Sequence, residues 1–258
     1  MKVFVINLKA SPERRQFMER QLAALDLPAE FFPAVDGRRL TEDEVGQQSN
    51  RVWFRRYVGR EMTRADLGCS LSHILVYRKI IEENLPCALV LEDDAWLTPA
   101  IKPVMEALEE DIPRLPVDVV LFSQCSTVGA RLWNIATYFL CPVVQAYFTH
   151  AYVVTPAGAR RLLDALFPVC HQADAWDWLL GHRVVRVAAI NKVLATQNQM
   201  VLASTNPGRQ GVLPSRFSIP WWSRKMQRAF WRAYDLYMPL SWRRIKPSNK
   251  AARSQALA

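Results

Sequence analysis

The chain has 258 residues, half of them apolar and 22% charged, with 9 glycines and 16 prolines. It can therefore bury a sizeable core, which excludes disordered, collagen-like and disulfide-scaffold chains. The net charge of +9 is localised: from Pro214 onward ten Lys/Arg stand against the single acid Asp235, so residues 1–213 are neutral.

In chain order, residues 2–8 read as a short buried strand. Ser11 then caps a helix that opens on Pro12 and gathers Phe17, Met18, Gln21, Leu22 and Leu25 on one face. Residues 31–35 form a second strand, closed by Asp36-Gly37. Thr41-Glu42-Asp43-Glu44 is a capping box, and Thr63-Arg64-Ala65-Asp66 is a similar helix start before Leu67, Leu71, Ile74 and Leu75. Two helices follow, separated by an aromatic, basic stretch at 53–60. Residues 88–91 are too few for a helix and read as a central strand that ends in Glu92-Asp93-Asp94. Thr98-Pro99 starts a helix to about residue 110, residues 117–122 are the next strand, and 143–155 hold one or two more. A helix over 156–166 follows a Thr155 cap, and 184–190 is a late strand.

This alternation predicts an α/β fold, a mostly parallel sheet with helices on both faces and ligands outside the carboxyl ends of the strands. It spans a catalytic domain over 1–213. Residues 214–258 form an appended segment in which Trp221, Trp222, Phe230, Trp231, Tyr234, Tyr237 and Trp242 interleave with arginines. That is the composition of an amphipathic helix lying in a membrane interface, unless the aromatics complete the core and the arginines form a solvated face. The first residues are too short an apolar stretch for a cleavable signal, and no run of 18 apolar residues exists, so the expected location is cytoplasmic. Five scattered cysteines without a CxxC pair suggest buried thiols in a reducing compartment and no zinc site.

Three consecutive carboxylates at a strand end need a solvated cleft or a cation. Alternation puts Glu92 and Asp94 on one face and Asp93 on the other, so the first two can hold Mg²⁺ or Mn²⁺; an acidic turn that merely solvates the strand end is the plain alternative. A second cluster, His171-Gln172-Ala173-Asp174-Ala175-Trp176-Asp177-Trp178, sets two carboxylates among tryptophans. There a carboxylate can act as a general base and a Trp face can stack on sugar, or Asp174 can simply cap a short helix over core tryptophans. His73 and His150 read as structural. No dinucleotide fingerprint, phosphate-binding loop or nucleophile elbow is present.

Six segments in register resemble the family 25 glycosyltransferases, which include bacterial lipooligosaccharide galactosyltransferases. They are Val5-Ile6-Asn7-Leu8-Lys9-Ala10-Ser11-Pro12-Glu13-Arg14-Arg15, Phe31-Phe32-Pro33-Ala34-Val35-Asp36-Gly37, Leu67-Gly68-Cys69-Ser70-Leu71-Ser72-His73, Leu91-Glu92-Asp93-Asp94-Ala95, the stretch from Ala151-Tyr152-Val153 to Gly158-Ala159, and Asp174. Gln172-Ala173 and Asn191-Lys192 depart from the family pattern.

The resemblance implies a GT-A fold, a UDP-sugar donor with UDP-galactose leading, a Mn²⁺ or Mg²⁺ ion and inversion at the anomeric carbon. It places the metal on Glu92 and Asp94, the base on Asp174 or, second, Asp177, and the nucleotide by Asn7, Arg14, Asp36 and Asp93. The implied acceptor is a lipid-linked oligosaccharide of lipopolysaccharide type, reached from the inner face of the cytoplasmic membrane, with the basic segment on anionic lipid. The competing readings are a metal-dependent nucleotidyltransferase or phosphodiesterase, and a nucleic-acid-binding protein that uses the basic segment.

Overall fold

A computed structural model describes residues 1–127 and 130–198, so the membrane reading of 214–258 lies outside the described residues. The elements in chain order are β1 (Lys2–Asn7), α1 (Pro12–Ala24), β2 (Glu30–Pro33), α2 (Glu42–Gln48), α3 (Arg51–Val58), α4 (Arg64–Glu82), β3 (Ala88–Glu92), β4 (Ala95–Leu97) and α5 (Ile101–Asp111). They continue with β5 (Val119–Leu121), β6 (Cys125–Thr127), β7 (Trp133–Ile135), β8 (Tyr138–Ala146), β9 (Ala151–Val154), α6 (Pro156–Leu166), α7 (Trp176–Gly181), β10 (Val187–Ile190) and β11 (Ala195–Gln197).

The main sheet runs β2-β1-β3-β9-β5-β10-β8-β6, with β7 beside β8. Strands β2, β1, β3, β5 and β10 point one way, so the sheet is mostly parallel in direction. β9 is inserted antiparallel between β3 and β5, and β8 reverses beside β10. Alternation sorts the central strands onto two cores. Val3, Val5, Leu89, Leu91, Ala151 and Val153 pack with Phe17, Met18 and Leu22 of α1 and Ile101, Val104 and Leu108 of α5. Phe4, Ile6, Ala88, Val90, Tyr152 and Val154 pack with Leu67, Leu71 and Ile74 of α4 and Leu162 of α6. Both faces are covered, as the continuous apolar runs require.

Several local expectations need correction. Ser11 makes no side-chain cap; its carbonyl instead accepts from Arg15 N and from Asn7 Nδ2. The aromatic, basic stretch is itself a helix, α3, capped by Asn50 and closed by Gly59 in the left-handed region at φ 77°. The helix after Thr98 starts only at Ile101. Cys87 and Cys141 are buried thiols as expected, whereas Cys69 is exposed. Both capping boxes form, Thr41 with Glu44 and Thr63 with Asp66, and Thr155 caps α6.

Gly68 explains how α4 is seated. A Cβ there would lie 2.6 Å from the Val35 carbonyl and 2.7 Å from Gly37 N, so only glycine lets the helix rest on the turn after β2. One turn on, Ser72 Oγ accepts from Val35 N at 2.9 Å and donates to the Gly68 carbonyl at 2.6 Å. α4 is thus pinned against the carboxyl ends of β1 and β2, and His73 points to the end of β3.

Candidate active site at the carboxyl end of the third strand

β1 and β3 run in parallel register, Ile6 opposite Glu92, so Asn7 and Asp93 emerge together just beyond the sheet. On the α1 side Asp93 accepts from Asn7 Nδ2 at 2.8 Å and from Arg14 Nη1 at 2.7 Å; the same Arg14 nitrogen lies 3.4 Å from Asp94 Oδ2. All four residues are buried. Burial opposes the Arg14 charge, but Asp93 and Asp94 outweigh it and raise its pKa.

Glu92 faces the other way, towards α4. His73 Nε2 stands 3.5 Å from Glu92 Oε1, His150 Nδ1 lies 3.9 Å from Oε2, and Thr149 Oγ1 donates to Oε1. Burial pushes the Glu92 carboxyl up, but His150 and His73 prevail and hold it well below the usual range. Asp94 moves the opposite way: burial and then the Glu92 charge raise its pKa, against Gln197 Nε2, which donates to Oδ2 at 3.1 Å. β4 and β11 pair antiparallel beyond the main sheet and bring Gln197 there, with Asn198 N donating to the Asp94 carbonyl at 2.8 Å.

Donor atoms of Glu92, Asp94 and His150 all lie within 4.8 Å of one another. Asp94 Oδ1 and His150 Nδ1 are buried and find no hydrogen-bond partner among the described residues. An unbonded carboxylate oxygen and an unbonded imidazole nitrogen beside a second carboxylate fit a divalent cation, which takes hard oxygen and imidazole donors and would offset the repulsion between Glu92 and Asp94. The expected pair Glu92 and Asp94 is therefore brought together. His150, whose ring stacks on Phe148 at 4.6 Å, is a third candidate that sequence reasoning took as structural.

Asp36 lies where β2 ends, in a cleft of about 370 Å³ lined by Leu8, Lys9, Ala34 and Arg39. Its carboxylate accepts from Arg38 N, Nε and Nη2, and the Arg38 side chain lowers its pKa. The cleft opens outside the carboxyl ends of two parallel strands, where ligands bind in such sheets.

The 171–178 loop borders the site through the turn that carries Thr149 and His150. Trp176 Nε1 donates to the Phe148 carbonyl at 2.9 Å, and Ser70 Oγ of α4 donates to the His171 carbonyl at 3.2 Å. Asp174 is half-buried in the field of Arg60. Arg60 in turn grips Asp66 through both nitrogens, at 2.6 and 2.9 Å. Asp177 lies at the start of α7, where it accepts from Ala146 N and Gln145 Nε2, both at 3.3 Å; burial raises its pKa. Over this loop Trp53 stacks on Tyr57 at 5.1 Å, Tyr57 on His171 at 4.7 Å, and His171 packs on Trp178 at 4.3 Å. Trp53 and Tyr57 remain exposed.

Residues 1–124 match the family model described as Glycosyltransferase family 25 (LPS biosynthesis protein). Among curated relatives, a "Glycosyltransferase 25 family member" of Aedes aegypti is 32% identical over 167 residues, which cover 63% of this chain and 28% of that protein. "Procollagen galactosyltransferase 1-B" of Xenopus laevis is 30% identical over 177 residues, again 63% and 28%. A "Probable inactive glycosyltransferase 25 family member 3" of Bos taurus is 30% identical over 168 residues, 62% and 28%. The chain thus spans 28% of the length of these relatives.

Proposed function

Residues 1–124 match the model of glycosyltransferase family 25, and from that premise we propose that the chain transfers a hexose, galactose first, from a UDP-sugar to a hydroxyl of a glycan, with inversion. The observation that carries the reading is the convergence of Glu92, Asp94 and His150 with two unsatisfied buried polar atoms at the carboxyl end of β3. A divalent cation bound there supplies positive charge against the departing diphosphate. Asn7 and Arg14 fix Asp93 and so hold the turn that aims Asp94. The cleft beside Asp36 receives the nucleoside.

The base comes from the 171–178 loop. Asp174, near Arg60, is the first choice; Asp177, whose pKa burial raises, is the second. The exposed edges of Trp53 and Tyr57, whose rings stack on one another and on His171, offer apolar contact for an acceptor sugar. The family description names lipopolysaccharide biosynthesis, and the +9 segment after Pro214 supports an acceptor carried on an anionic membrane surface. Vesicle partition tests that part: Arg228→Gln in the full chain should weaken binding to anionic but not neutral vesicles, and equal partition of both proteins on both would remove it.

The activity test is UDP release from a panel of UDP-sugars, with Mn²⁺ or EDTA, for the wild type and Asp94→Ala. Release from one donor, abolished by EDTA and by the substitution, is expected. Pyrophosphate as the product would point to a nucleotidyltransferase, and no release from any donor in the presence of a lipid-linked oligosaccharide would overturn the proposal.

A further inference from the structure

In the Leu67-to-His73 segment Gly68 permits the close approach of α4 to the turn after β2, Ser72 bonds Val35 N, and the exposed residue between them in sequence is Cys69. It sits one helical turn before His73, on the same face of α4. The thiol of Cys69, a ring nitrogen of His73 and a carboxylate oxygen of Glu92 lie within 4.8 Å of one another.

The hydrogen bond that orients His73 makes this arrangement specific. Tyr152 OH bridges Tyr77 OH at 3.0 Å and His73 Nδ1 at 2.8 Å. The other ring nitrogen, Nε2, faces Glu92 Oε1 across 3.5 Å. A buried imidazole oriented through its other nitrogen is how metal-ligating histidines are held.

The geometry points to a second metal site, Cys69–His73–Glu92, that takes a thiophilic divalent cation such as Zn²⁺ and competes with the hard-cation site for Glu92. Thiolate, imidazole and carboxylate are zinc's usual donors, with water in the fourth position, and closing the cluster by about an ångström meets bonds of about 2.0–2.3 Å. Binding releases the Cys69 proton to solvent and leaves His73 neutral. Because Glu92 belongs to both clusters, only one ion at a time has its full set of donors. Zinc would thus inhibit by withdrawing a ligand. The spacing of the cysteines gave no hint of this, because the third donor arrives from β3.

The competition rests on the function proposed above; the second site does not. The test is titration of the full chain with Co²⁺, read by the thiolate-to-metal charge-transfer band, and with Mn²⁺, read by its electron paramagnetic resonance. The band is expected in the wild type and in Asp94→Ala. In Cys69→Ser, an exposed position that should leave folding intact, it should vanish and Co²⁺ affinity should fall by at least about tenfold. Zn²⁺ should displace Mn²⁺ from the wild type and not from Cys69→Ser. A band that survives Cys69→Ser, or no band at all, would overturn the site, leaving His73 to bridge Glu92 through a proton. A Cys69-dependent band in a protein that binds no Mn²⁺ would keep the second site and remove the hard-cation reading.

Discussion

On the α1 side of the β3 end, Asp93 accepts from Asn7 and Arg14 and is a finished structural joint. On the other side, Asp94 and His150 each leave a buried polar atom unbonded while Glu92 and Asp94 repel one another. Neighbouring carboxylates, one residue apart, have thus been given opposite environments. A finished network holds shape; an unfinished one stores a need for a ligand. The comparison separates residues whose loss should unfold the protein from residues whose loss should only silence it.

The largest effect should come from breaking the finished side. Arg14→Ala leaves Asp93 and Asp94 buried without their cation, and a buried pair broken in this way costs about 3–5 kcal/mol. The urea midpoint should fall accordingly, and an unchanged midpoint would mean that the joint is not structural. Asp94→Ala should behave in the opposite manner. Burial and Glu92 raise the Asp94 pKa, so its charged form is a liability in the folded chain. Without divalent ions the variant should be at least as stable as the wild type, while UDP release drops by about 100-fold or more, as loss of a metal ligand implies. A variant that lost stability and activity together would erase the distinction.

Asp66 calibrates the finished class away from the candidate cation. Burial disfavours its charge, yet Arg60 and Thr63 overcome this and lower its pKa from 3.8 to about 2. A carboxyl depressed on folding adds stability above its ordinary pKa and loses it as the pH falls through the folded value. The contribution, about 2 kcal/mol, should therefore disappear between about pH 4 and pH 2. Urea midpoints for Asp66→Asn and the wild type should differ near neutrality and converge across that window. Curves that stay parallel would show that Arg60 does not grip Asp66 in solution.

Much of this was legible in the sequence where a local signal and the final fold agree. The capping boxes at Thr41 and Thr63, the β3 run into Glu92-Asp93-Asp94, and the helix after Thr155 depend on residues a few positions apart. Glu92 and Asp94 do come together, but through a turn and not by alternation: β3 ends at Glu92, and Asp94 also shares Arg14 with Asp93. What stayed hidden depends on distant chain. α3 reads as a loop because it is only two turns long and its cap is a single asparagine, although its aromatics and arginines lie on separate sides. β4 and β11 are three residues each and exist only as a pair. His150 looks like any residue before a strand until β9 inserts beside β3 and carries it to Glu92. Gly68 marks a contact with Val35 and Gly37 that only the folded chain brings to it.

Gln197 tests the comparison at its finest grain. It comes to Asp94 through the β4–β11 pair, from a stretch with no resemblance to any motif, and donates to Oδ2 at 3.1 Å. With Oδ2 engaged there and near Arg14, Oδ1 is left as the buried, unbonded oxygen. If that orientation matters, Gln197→Ala should weaken Mn²⁺ binding by about tenfold, the lower end for a residue that orients a ligand. The urea midpoint should barely move, because Gln197 is exposed and exchanges this bond for water. Unaltered Mn²⁺ affinity would mean that Arg14 alone aims the carboxylate; a lost midpoint would place the β4–β11 pair with the structural joint on the other side of β3.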